Sequence, residues 1–142
     1  MTNVFTSEIH YTGNNKLDIT VETGIKIFAP EWSWVRGIHQ HTMSEQDYID
    51  RYLTKIKASW QDDRNTWDRL IWSKESVVLC CFCLPNIFCH RYVLTTVLQG
   101  MGAVYCGELL KIGRDYISVY PSIMDRFFRK PQFILSNSIE KT

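Results

Sequence analysis

Four of the five cysteines in this 142-residue chain, Cys80, Cys81, Cys83 and Cys89, fall within one short stretch, and His90 and Arg91 follow directly. Thiols, an imidazole and a guanidinium at this spacing offer three kinds of chemistry. The first is metal binding, since Cys81 and Cys83 share a face of an extended chain and Cys89 with His90 would complete a set of four. Structural zinc, however, usually draws on one pair spaced by two to four residues and a second, distant pair, which is absent. Cys80 and Cys81 are therefore read as small residues packed in the core, with no metal and no other cofactor expected. The second is nucleophilic catalysis by Cys89, whose thiolate a helix start would favour. His90 is a poor base for it, because adjacent residues on a helix point apart. The third is anion binding: first-turn amides, the positive end of a helix dipole and the Arg91 fork suit a phosphate or carboxylate.

The elements around the cluster make that placement plausible in physical terms. Val77 to Cys83 is a short apolar run of the kind buried on both faces of a sheet. Pro85 and Asn86 break it. From Cys89 onward the apolar residues recur at helical spacing (Tyr92, Val93, Thr96, Val97), and Gly100 and Gly102 close the helix. The expectation is strand, tight loop, helix, with Cys89, His90 and Arg91 in the first helical turn. Further strands are expected at 3–11, 17–21, 24–28, 103–106 and 116–119. A helical turn should begin at Glu31. A long helix should run from an N-cap at Ser44 through Tyr48, Ile49, Tyr52, Leu53, Ile56 and Trp60, and another should cover 62–73. This alternation predicts a single α/β layered domain with a mixed, partly parallel sheet flanked by helices. The domain is assigned to residues 1–112. Residues 113–142, with a basic cluster at 126–130 and a mobile tail after Ser136, are assigned to a C-terminal extension packing on the domain or on a partner subunit.

The string Val-Leu-Cys-Cys-Phe-Cys (78–83), a gap, then Phe-Cys-His-Arg (88–91) resembles the signature of the family called domain of unknown function 488. Members carry a strand ending in a Leu-Cys-Tyr-Glu-like string, followed by Phe-Cys-His-Arg at a helix start. Ile-Phe-Ala-Pro-Glu-Trp (27–32) and Tyr-Ile-Asp-Arg-Tyr (48–52) are similar to that family's middle section, and the resemblance spans about residues 5–108. It implies a fold and a site more than a reaction. Cys83 stands where the strand-end glutamate is expected, which argues against carboxylate acid/base chemistry there.

Composition narrows the function classes. Apolar residues are 45% and charged residues 22%, as in ordinary globular domains, and a net charge of +1 gives no reason to expect duplex nucleic acid as a partner. No apolar run reaches the roughly 20 residues of a membrane span. The absence of a basic leader and the crowded, odd-numbered cysteines suggest the cytoplasm. Aromatic residues reach 13%, a surplus that can line a pocket or an interface.

Ligands of open α/β sheets sit beyond the carboxyl ends of the strands. The expected ligand-binding set is accordingly Thr6, Ser7, Trp32, Trp34, Asn86, Cys89, His90 and Arg91, with Cys89 and Glu108 as catalytic candidates should there be turnover. Arg91 is read as an anion clamp in preference to an ion pair with Glu108. Tyr48 and Tyr52 are read as core, and His39 and His41 as solvated. The function expected is binding of a small anionic, nucleotide-like ligand without turnover, one form being viral sequestration of a host immune signal. A hydrolase or transferase acting on a nucleotide or nucleic-acid bond is the alternative. A homo-oligomeric interaction module is the third reading.

Overall fold

The computed structural model describes residues 2–127. Five strands form one sheet: β1 (Asn3–Glu8), β2 (Lys16–Asp18), β3 (Ser76–Cys81), β4 (Val104–Ile112) and β5 (Asp115–Val119), in the order β2-β3-β1-β4-β5. The first four run parallel and β5 returns antiparallel to β4, so the sheet is mixed, as expected. The helices are α1 (Trp32–His39), α2 (Glu45–Asp62), α3 (Arg64–Trp67), α4 (His90–Gly100) and α5 (Ile123–Phe127), with a 3-10 turn at Lys26–Phe28 and a π-turn at Asp68–Trp72.

Interior β3 reads as an apolar run because both of its faces are covered: Val77, Val78, Leu79, Cys80 and Cys81 are all buried. α2 begins where Ser44 Oγ accepts a hydrogen bond from Asp47 N at 3.0 Å, and its Tyr48, Ile49, Tyr52 and Ile56 enter the core. Tyr52 OH donates to Phe28 O at 2.7 Å, and the Trp67 ring meets Phe28 edge-on at 5.0 Å. Those contacts fix the connection between β2 and α1 against the helical layer.

Residues 24–28 differ from the expected strand. Asp18 accepts from Thr20 N at 2.9 Å and from Thr23 Oγ1 at 2.5 Å, and Ile25 N donates back to Asp18 O at 2.9 Å. A side chain that bonds its own downstream backbone offers the chain a turn in place of a ladder. The segment therefore folds over the end of β2 and delivers Phe28 to the core. Cys89 differs too: it is the extended N-cap residue of α4 (φ −161°, ψ 147°), one position before the helix.

The first residues assigned to the C-terminal extension supply β5 to the same sheet through a tight turn at Gly113, whose φ is +61°. Arg126 belongs to α5, and the rest of the basic cluster, beyond Phe127, and the tail lie outside the described residues. Among the described residues no helix is long and apolar enough to cross a membrane.

Candidate functional site at the carboxyl ends of the strands

Two polar assemblies meet near the start of α4. The first is a buried block under the loop between β3 and α4. Arg91 is 0% exposed and Glu108 lies beside it, with Arg91 Nη2 3.2 Å from Glu108 Oε2. The same guanidinium donates through Nη1 to Cys83 O and through Nη2 to Leu84 O, each at 3.0 Å, and to Tyr92 OH at 3.0 Å. Glu108 Oε1 accepts from Tyr92 OH at 2.8 Å and from Thr6 Oγ1 at 2.5 Å. Because Thr6 donates there, the Tyr105 hydroxyl donates to Thr6, at 2.7 Å. A bulge carries Glu108 into this position. The β1–β4 register slips between Val4 and Phe5, Gly107 adopts φ +111°, and a Cβ there would meet Val119 O at 2.8 Å.

This block relocates several residues of the expected site. Arg91 is turned inward on a carboxylate and two loop carbonyls, so its fork holds the loop and does not face the cavity. Glu108 is buried and held by Arg91, Tyr92 and Thr6. Thr6 is buried on Glu108, and Ser7, also buried, donates to Leu109 O at 3.0 Å. Asn86, at φ +62°, accepts from Ile123 N at 2.7 Å and donates to Ser122 Oγ at 3.1 Å, fastening the chain after β5 to the loop. Trp34 packs edge-on against Tyr48, with ring centroids 6.3 Å apart.

The second assembly is the floor of a cavity of about 190 Å³ lined by Pro30, Trp32, Val35, Ile38, Tyr48 and Phe88, with Cys81, Cys83, Cys89 and His90 at the bottom. Here Trp32, Cys89 and His90 of the expected set come together. Trp32, at 49% exposed, forms the rim. The cavity's other walls were read from sequence as core (Tyr48) or solvated (His39), since helical spacing alone does not distinguish a core stripe from a pocket wall. A second depression of about 380 Å³ adjoins it, sharing Ile38, His39, Cys83 and Phe88 and bordered by Asn86.

On the cavity floor the Sγ atoms of Cys81, Cys83 and Cys89 lie within 4.8 Å of one another. His90 Nδ1 is 3.9 Å from Cys81 Sγ and 3.7 Å from Cys89 Sγ, and Nε2 is 2.5 Å from Ile19 O. A carbonyl can only accept, so Nε2 carries a proton. Burial raises the Cys89 thiol, but hydrogen bonds from Cys81 and Cys83 and the charges of His90 and Arg91 outweigh it and hold it well below the usual range. Arg91 Nη1 lies 3.5 Å from that sulfur. Cys83 moves up, as hydrogen bonding to Cys81 and Cys89 and burial keep its proton in place. Burial opposes protonation of His90, and the charge on Cys89 reverses this, taking it up to about 10. Cys80 faces elsewhere, and burial pushes its thiol up to about 12. The floor is thus electron-rich, and the walls are apolar and aromatic.

A family model described as the active DUF488-N3 subclade matches residues 2–102. No curated protein and no solved structure matches the chain.

Proposed function

The chain belongs to the domain of unknown function 488 family, and from that footing and the cavity's geometry we propose that it binds a small anionic, nucleotide-like ligand without turning it over. The observation that carries this reading is the aromatic cavity at the carboxyl ends of the parallel strands, between Trp32, Tyr48 and Phe88. An apolar cavity of about 150 Å³ takes up benzene. The 190 Å³ here therefore suits one planar ring, and the polar remainder would extend toward the adjoining depression past His39 and Asn86. The N-terminal end of α4, at Cys89 and His90 on the cavity floor, carries the positive end of the helix dipole, which favours a negative group close by. Sequestration of a nucleotide signal, as by a viral protein countering a host defence, is the form of this reading that requires no catalyst.

A second reading, hydrolysis or group transfer on a nucleotide or nucleic-acid bond, is favoured by one feature. Cys89 is a thiol on the cavity floor with an imidazole nitrogen at 3.7 Å and a guanidinium nitrogen at 3.5 Å, and the matched subclade is described as active. Against it, Glu108 is held in the Arg91 ion pair, and among the described residues no carboxylate lines the cavity to complete an acid and base set.

Trp32→Ala tests the binding reading, because an exposed rim residue can be removed without opening the core. In calorimetry against a panel of nucleotides, the variant should bind the preferred member about 1–3 kcal/mol more weakly, the range for loss of one base–aromatic stack. Equal affinity of wild type and variant would take the ring out of this cavity.

A further inference from the structure

We propose that Cys81, Cys83, Cys89 and His90 together hold a zinc ion in the floor of the cavity. This goes beyond ligand binding and reverses the expectation from residue spacing, which asked for two separated ligand pairs. The structure brings the three sulfurs together, with His90 Nδ1 beside two of them, by another route: a strand end (Cys81), the loop after it (Cys83), a helix cap (Cys89) and the first helical residue (His90), which would close on the Cys83 side as the ion binds. The extended backbone at Cys89 is what allows its thiol and the neighbouring imidazole to converge.

Donor geometry supports the assignment. Tetrahedral zinc with Zn–S of about 2.3 Å and Zn–N of about 2.0–2.1 Å sets neighbouring donors about 3.5–3.8 Å apart. His90 Nδ1 already stands 3.7 and 3.9 Å from two of the sulfurs, and the three sulfurs are mutually within 4.8 Å. With Nε2 donating to Ile19 O, Nδ1 is the nitrogen that faces the thiols and would give up its proton to the ion, and a backbone carbonyl on the far nitrogen is the usual outer support of a metal-bound histidine. Three thiolates and a neutral imidazole around Zn²⁺ carry a single net negative charge, which Arg91 Nη1 meets at the Cys89 sulfur. Soft thiolates with an imidazole select zinc over magnesium or calcium. Core packing accounts for Cys80, whose sulfur turns to Val78 O on its own strand, but it gives no reason for three further sulfurs and an imidazole nitrogen to converge. Half-buried Cys83 lines the open cavity, which provides a path for the ion.

Elemental analysis of the full-length protein purified without chelator should find about one zinc per chain. Replacing it with cobalt should give the intense visible bands of tetrahedral cobalt and a near-ultraviolet thiolate-to-cobalt band. Cys83→Ser, on the loop and away from the strand core, should weaken metal retention by more than about tenfold and reduce the thiolate band. Any of three results would overturn the assignment: wild type that takes up neither metal, a disulfide mapped among Cys81, Cys83 and Cys89, or cobalt bound without a thiolate band. The wild-type measurements do not depend on how the variant folds, and they read the metal alone, so they stand apart from the outcome of nucleotide binding.

Discussion

Arg91 and Glu108 form an ion pair with no exposure to water, and such a pair responds to mutation asymmetrically. Taking two charges out of water is costly, and partnership offsets that cost; removing one partner strands the other. Arg91→Ala and Glu108→Ala should therefore each destabilise the protein by about 3–5 kcal/mol in denaturant unfolding. The double replacement Arg91→Met with Glu108→Leu should cost less than either single change. Single changes that leave stability intact would remove the pair from the fold's supports. The residue scale is also where sequence reading was weakest. Pairing of Arg91 with Glu108 was visible as one of two choices, but the choice depends on the bulge at Gly107 that turns Glu108 toward Thr6, and no local pattern announces a register shift. The set Cys81, Cys83, Cys89 and His90 was legible as a group but was set aside on ligand spacing, which carries no information on how its members converge. Their convergence depends on Cys89 being the extended cap and not the first helical residue, a difference of one position.

Elements were easier to read where one periodicity ran long enough to exclude others. α2 and β3 are the clearest cases, the first from its capped apolar stripe and the second from an uninterrupted apolar run. Ser44→Ala should cost about 1 kcal/mol in thermal or denaturant unfolding through loss of the bond to Asp47 N, while leaving the cavity unchanged. No measurable loss would mean that α2 is held by packing alone. Residues 24–28 escaped the same reasoning because their apolar content is that of a strand. What decides their shape is the Asp18 carboxylate, several residues upstream, bonding Thr20 and Thr23 into a turn. Tyr48 shows the matching ambiguity on a helix. Its ring belongs to the apolar stripe of α2 and at the same time walls the cavity, so a core assignment describes only one of its faces.

At the scale of the molecule, a mostly parallel sheet gathers β1, β2 and β3 so that their carboxyl ends open on one side, and α1 and α2 lay Trp32 and Tyr48 over that opening. That much follows from alternating strands and helices together with the rule that ligands sit beyond strand ends. The fate of a ligand there depends on whether the floor holds it or reacts with it. Zinc on the floor would take the Cys89 thiolate into a closed four-ligand site of the structural kind, in agreement with binding without turnover. The most direct measurement incubates wild-type protein with its preferred nucleotide, denatures the complex and identifies the released molecule by chromatography and mass spectrometry. Quantitative recovery of the unchanged nucleotide is the predicted result; a chemically altered product from wild type, absent when Cys89→Ser is treated in the same way, would contradict it.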